Sequence, residues 1–86
     1  MGAIRSDYAQ LAARANSVAN SLGRMEQQQA RMGVGLRGDM AAARDSVEYL
    51  MGETKGAIAA GDADGAKSNL NLAERQIEKL EDFLGR

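Results

Sequence analysis

The chain of 86 residues contains no cysteine, no histidine, no proline and no tryptophan, and only one phenylalanine and two tyrosines. Each absence removes a class of chemistry. Without cysteine there is no disulfide framework, and the redox compartment is left open. Without histidine the commonest metal ligand and the usual general base at neutral pH are missing. Without proline, glycine supplies all the punctuation along the chain. With three aromatics there is little on which nucleic-acid bases could stack. No apolar run reaches the ~18 residues that span a bilayer, and Met1-Gly2-Ala3-Ile4 opens no signal-peptide core, so localisation is left unknown and cytoplasmic only by default.

What is present points to helix. Leu, Ile, Val and Phe together number 15, against 16 alanines. So low a content of large apolar residues suggests disorder only when net charge is also high, and here it is −1. Alanine is the best helix former. A chain this short buries only about 60% of the surface its unfolded form exposes, so it is one domain with a thin margin of stability.

Ile4, Tyr8, Leu11, Ala15, Val18, Leu22, Met25, Gln29 and Met32 follow an unbroken 4-3 spacing, the mark of a long helix made to lie against other helices. The glycine-dense stretch Gly33-Val34-Gly35-Leu36-Arg37-Gly38 ends it, and Asp39 is the expected N-cap of a second helix. Met40, Ala43, Val47, Leu50, Thr54 and Ala57 continue the periodic pattern, widened by Met51 and Ile58. Gly61-Asp62 then reads as a C′ glycine followed by an N-cap aspartate. Ala63, Ala66, Leu70, Ala73, Ile77, Leu80 and Leu84 make the third stripe. Helices are expected over about 4–32, 39–60 and 63–84, the last two forming an antiparallel hairpin because so short a turn permits nothing else. The expected fold class is all-α: a long N-terminal helix packed on an antiparallel αα-hairpin, a three-helix bundle open to oligomerisation, in a single domain 1–86. Residues 1–37 carry five Arg and two acids, whereas 38–60 and 61–86 each sum to −2, so a basic first helix can lie along an acidic hairpin. Ala12 and Ala19, beside the first seam, widen it beyond a two-stranded coiled coil towards a bundle.

Residues 57–80, including Gly61-Asp62, Leu70, Ala73 and Ile77, resemble the helix-turn-helix of tetratricopeptide-like hairpins. Those families stack several ~34-residue units, and the preceding unit is missing here. The longer pattern of Leu36-Arg37-Gly38-Asp39, Ala73-Glu74 and Glu81-Asp82-Phe83-Leu84-Gly85-Arg86 resembles small uncharacterised helical modules at the C-terminal end of bacterial multidomain proteins, some of them signalling kinases. That resemblance implies a module and no particular activity.

Several strings imitate functional motifs, and each lacks an essential part or has a plainer explanation. Gly33, Gly35 and Gly38 spell a dinucleotide fingerprint, but helix rather than strand precedes them. Arg37-Gly38-Asp39 is an adhesion tripeptide, fully explained by a loop glycine and a capping acid. Asp62, Asp64 and Gly65 suggest a calcium loop whose twelfth position is Ala73 instead of Glu. Glu74, Glu78, Glu81 and Asp82 form an acidic face without the histidines of a helical di-metal site. Met1-Gly2-Ala3-Ile4-Arg5-Ser6 fits a myristoylation pattern that is short and common. Arg5, Arg14, Arg24, Arg31 and Arg37 scatter over several heptad positions, so no basic stripe forms and nucleic acid is disfavoured.

No cofactor, metal site or catalytic residue is expected, and the sequence reads as a non-enzymatic helical interaction or oligomerisation module. Its expected partner is a second copy or a helical protein. The alternatives are nucleic-acid or membrane-surface binding through the arginines of the first helix, and a regulatory segment of a larger signalling protein. Because the first helix is longer than the others, its excess is expected to project at the N-terminal end, leaving Ile4, Tyr8 and Leu11 as an uncovered interaction surface. Gln29, polar on the apolar seam, is expected either to fix register or to lie at a frayed, exposed end.

Overall fold

The computed structural model describes residues 1–31 and 38–85. Met32, Gly33, Gly35 and Arg37, on which the fingerprint and tripeptide readings partly rest, lie outside the described residues. Three helices follow in order: α1 Gly2–Arg31, α2 Gly38–Ala59 and α3 Ala63–Phe83. Among the described residues there is no strand. The fold is the expected all-α bundle, with α1 and α2 both packed on α3.

The turn between α2 and α3 is built as its sequence dictates. Gly61 takes a left-handed φ of 74°, a conformation that glycine adopts without steric penalty. That lets the Gly61 N–H donate to Ile58 O at 3.1 Å and the Asp62 N–H to Ala57 O at 2.8 Å, the paired bonds of a Schellman motif. Asp62 then caps α3, its carboxylate accepting from the Gly65 N–H at 2.9 Å. A Cβ at position 65 would meet that carboxylate, so a larger residue there would make the Asp62 side chain shift. The start of α2 differs from expectation: Gly38 is already helical, and Asp39 lies within the first turn, accepting from the Met40 N–H at 3.0 Å. Its charge still favours the helix, because free amides at an N-terminus attract anions.

Leu11, Val18 and Leu22 of α1, Met40, Ala43 and Val47 of α2, and Leu70, Ala73, Ile77 and Leu80 of α3 form one continuous buried cluster. Ala43, Ala66 and Ala73 are almost wholly covered, and such small side chains let α2 and α3 approach closely. Thr54 is the one buried polar residue among those described; its hydroxyl donates to Leu50 O at 2.7 Å, one turn back on its own helix.

The placement of α1 corrects the expected overhang. Arg14 reaches Glu74 and Glu81 of α3, while Ile4 and Leu11 border the part of α3 that holds Lys67 and Leu70. The N-terminal end of α1 therefore lies beside the first turns of α3 and has cover. Far more of α1 follows Arg14 than of α3 follows Glu81, so the excess length falls at the C-terminal end of α1. Burying an apolar side chain such as Leu11 is worth roughly 1.5–3 kcal/mol, a larger gain than holding the opposite helix ends level. At 30 residues α1 is ~45 Å long, which accounts for the 47 Å long axis of the molecule.

Candidate functional site

Two hollows border α1. The first, about 250 Å³, is a groove with α1 and α2 as its walls and Ile77 and Leu80 of α3 as its floor. It exists because α1 and α2 each pack mainly on α3 and touch one another least. The α1 wall presents small residues, Ala12, Ala15, Asn16 and Ala19, with Tyr8 at one end; the α2 wall presents Arg44, Val47, Glu48 and Met51. The floor is apolar and only the rim is charged. Arg44 pairs with Glu26 across the two walls and lies 3.7 Å from Asp45. The Glu48 carboxylate has no hydrogen bond or ion pair among the described residues.

The second hollow, about 490 Å³, lies between α1 and α3 and is far more polar, with Asp7, Arg14, Lys67 and Glu74 on its walls. Arg14 crosses it. Its Nη2 donates to Glu81 Oε1 at 2.7 Å, its Nε to Glu81 Oε2 at 3.4 Å, and its Nη1 to Glu74 Oε1 at 3.3 Å. The hydrogen bond to Glu81 is the main cause of a raised guanidinium pKa, with the charges of Glu81 and Glu74 adding to it against a desolvation penalty. This is the basic-helix-on-acidic-hairpin contact that the charge distribution implied. Both partners remain partly solvated, with side chains 38% and 22% exposed for Arg14 and Glu81, so the pair fixes register more than it adds stability.

The residues singled out from sequence fall as follows. Leu11 is 6% exposed and belongs to the core; Ile4 and Tyr8 are half-buried and pack against it. The uncovered N-terminal patch expected of these three is overturned, and only Tyr8 of the three borders the apolar groove. Gln29 is half-buried, and its Oε1 is buried without a hydrogen-bond partner among the described residues. It is therefore not at a frayed, exposed end. An unsatisfied buried amide oxygen costs about 1–3 kcal/mol.

The groove itself was only half legible. Ala12 and Ala19 beside the seam were its signal in α1, and Met51 was visible as a widening of the α2 stripe; nothing in the periodicity marked Glu48 as facing the same space. Gly23 lies on the same face of α1 as Ala12 and Ala19, although it is not part of the groove's lining. It is exposed inside α1, one turn beyond Ala19, and a Cβ there would meet nothing within 4 Å. A glycine inside a helix costs about 1 kcal/mol relative to alanine, and no contact among the described residues requires it. The exposed large apolar residues, Met1, Tyr49 and Leu72, lie elsewhere and do not extend the groove.

Among the described residues no group of three or more acids is placed to hold a metal ion. No described helix is long and apolar enough to cross a membrane. Compared with family models, curated proteins and solved structures, the chain matches none.

Proposed function

We propose that this chain is a non-enzymatic helical packing module whose α1–α2 groove accepts one further helix, from a second copy or from a partner protein. The observation that carries the reading is the apolar floor of Ile77 and Leu80 under a wall of alanines. Small side chains let a helix backbone come close, and an apolar floor rewards it for bringing large side chains at 3-4 spacing. A fourth helix there would complete a four-helix arrangement from a bundle in which one pair of helices is poorly joined. The module is equally at home as a regulatory segment of a larger signalling protein, since neither role asks the chain for chemistry of its own. The rival reading, in which the arginines of α1 bind nucleic acid or a membrane surface, is weakened because Arg14 is held by Glu74 and Glu81.

The test is methyl NMR of Val18, Val47, Met51 and Ile77 during titration with a synthetic Leu-rich amphipathic peptide, and separately with rising protein concentration. Shifts confined to these groove methyls are the expected outcome. Signals that stay fixed in both series, with Arg-dependent binding of a duplex or anionic vesicles that weakens steeply with salt, would replace this reading with the rival.

A further inference from the structure

The groove is self-complementary, and we propose that its occupant is α1 of a second copy of this chain, laid antiparallel so that the two-fold axis passes between Ala15 and Asn16. This deepens the reading of the groove as a seat for a helix and rests on it. Three features of the α1 face agree on the same register. Pairing Ala12 with Ala19 of the second copy puts the smallest side chains at the centre, where the two backbones must come closest. The same register sets Tyr8 over Gly23 of the second copy, so the ring meets the one position of this face with no side chain, and the exposed helical glycine acquires a reason. It also sets Arg5 against Glu26 of the second copy. The Arg5 guanidinium has no hydrogen bond or ion pair among the described residues, and Glu26 already stands at the rim beside Arg44.

The α2 wall fits the same arrangement. An α1 helix antiparallel to the first runs parallel to α2, which brings Asn16 of the second copy near Glu48, where its amide can donate to that unpaired carboxylate. Each pairing occurs twice, once on each side of the axis, as a two-fold interface demands. The strip from Arg5 to Glu26 is ~33 Å long, a single narrow helix-on-helix contact of the kind found in weak, reversible assemblies, so the dimer is expected to form at micromolar concentrations and to dissociate below them.

The experiment is sedimentation equilibrium of the full chain from about 1 to 200 µM together with cysteine cross-linking, which a chain without native cysteine permits cleanly. The wild type should pass from the mass of one 9.1 kDa chain to that of two. Ala19→Arg should remain at one chain throughout with an unchanged helical circular dichroism spectrum, because Ala19 is exposed within the chain. The double variant Ala12→Cys with Ala19→Cys should oxidise to a covalent dimer. These two positions lie about 10.5 Å apart on one helix, beyond the ~7 Å between Cα atoms that a disulfide bridges. Ala13→Cys with Asn20→Cys, on the exposed back of α1, should not cross-link. A wild type that stays monomeric, a dimer indifferent to Ala19→Arg, or cross-linking at 13 and 20 in place of 12 and 19 would overturn the proposal. Distinguishing this failure from that of the wider reading is direct. A monomer whose groove methyls still respond to the synthetic helix loses the second copy and keeps the helix-accepting groove, whereas one that responds to neither loses both.

Discussion

The α2–α3 hairpin and α1 are held by different means. Within the hairpin, Ala43 and Ala73 sit at 2% and 0% exposure among larger neighbours, and the turn is closed by a Schellman motif and a capping carboxylate. Close approach there comes from small side chains and a short, fully hydrogen-bonded connection. Among the described residues, helix α1 contributes three buried apolar side chains, Leu11, Val18 and Leu22, and a guanidinium bridged to two glutamates. The hairpin is a packed unit; α1 is a long lever laid on it. Where two elements are joined by volume, a lost methyl leaves a hole. Where they are joined by a few contacts and a charge, one element can shift to close it.

The largest expected effect tests that difference. Ile77→Ala and Leu22→Ala each truncate a side chain with 0% exposure, yet the first should cost about 4 kcal/mol and the second about 2–3 kcal/mol, because α1 can settle into the vacated space. Urea denaturation measures both; equal losses would mean that α1 is held as rigidly as the hairpin. Next in size are the turn variants. Gly61→Ala, forced to a φ of 74°, and Asp62→Ala, which removes the acceptor for the Gly65 N–H, should each lower stability by about 1 kcal/mol. Glu81→Gln comes next, with a loss of about 0.5–1 kcal/mol that shrinks in molar salt, because the pair with Arg14 is partly solvated. The last effect is of similar size and has the opposite sign. Gly56→Ala, where a Cβ meets nothing within 4 Å, should raise stability by roughly 0.5–1 kcal/mol through helix propensity alone. Hydrogen exchange sharpens the comparison without mutation: amides near the ends of α1 should exchange through local opening, and those around Ala43, Ala73 and Ile77 only through global unfolding.

The sequence carried the local structure well. Heptad spacing located all three helices and the buried stripe of α3, because periodicity is a property of the chain itself. Gly61-Asp62 announced its turn through backbone chemistry that only those residue types satisfy. The lengthwise placement of α1 on the hairpin was not legible. The helix lengths were visible, but a glycine-bearing connection does not dictate which ends lie level. The deciding contacts, Arg14 with Glu74 and Glu81, join residues more than a helix length apart in the chain. Ile4, Tyr8 and Leu11 were therefore assigned to the wrong environment, although their apolar character was read correctly. The groove was hidden for a related reason: it arises where α1 and α2 fail to meet, and a pattern along one helix cannot reveal a gap between two.

The long first helix also governs how the molecule moves through water. Extents of 47 × 19 × 17 Å make a rod, and the radius of gyration of 14.1 Å exceeds the ~12 Å of a compact chain of this length. Such a body tumbles anisotropically and drags more solvent than a sphere of equal mass. A single chain will therefore leave a gel-filtration column early, at an elution volume that calibration against spherical standards assigns to a larger species.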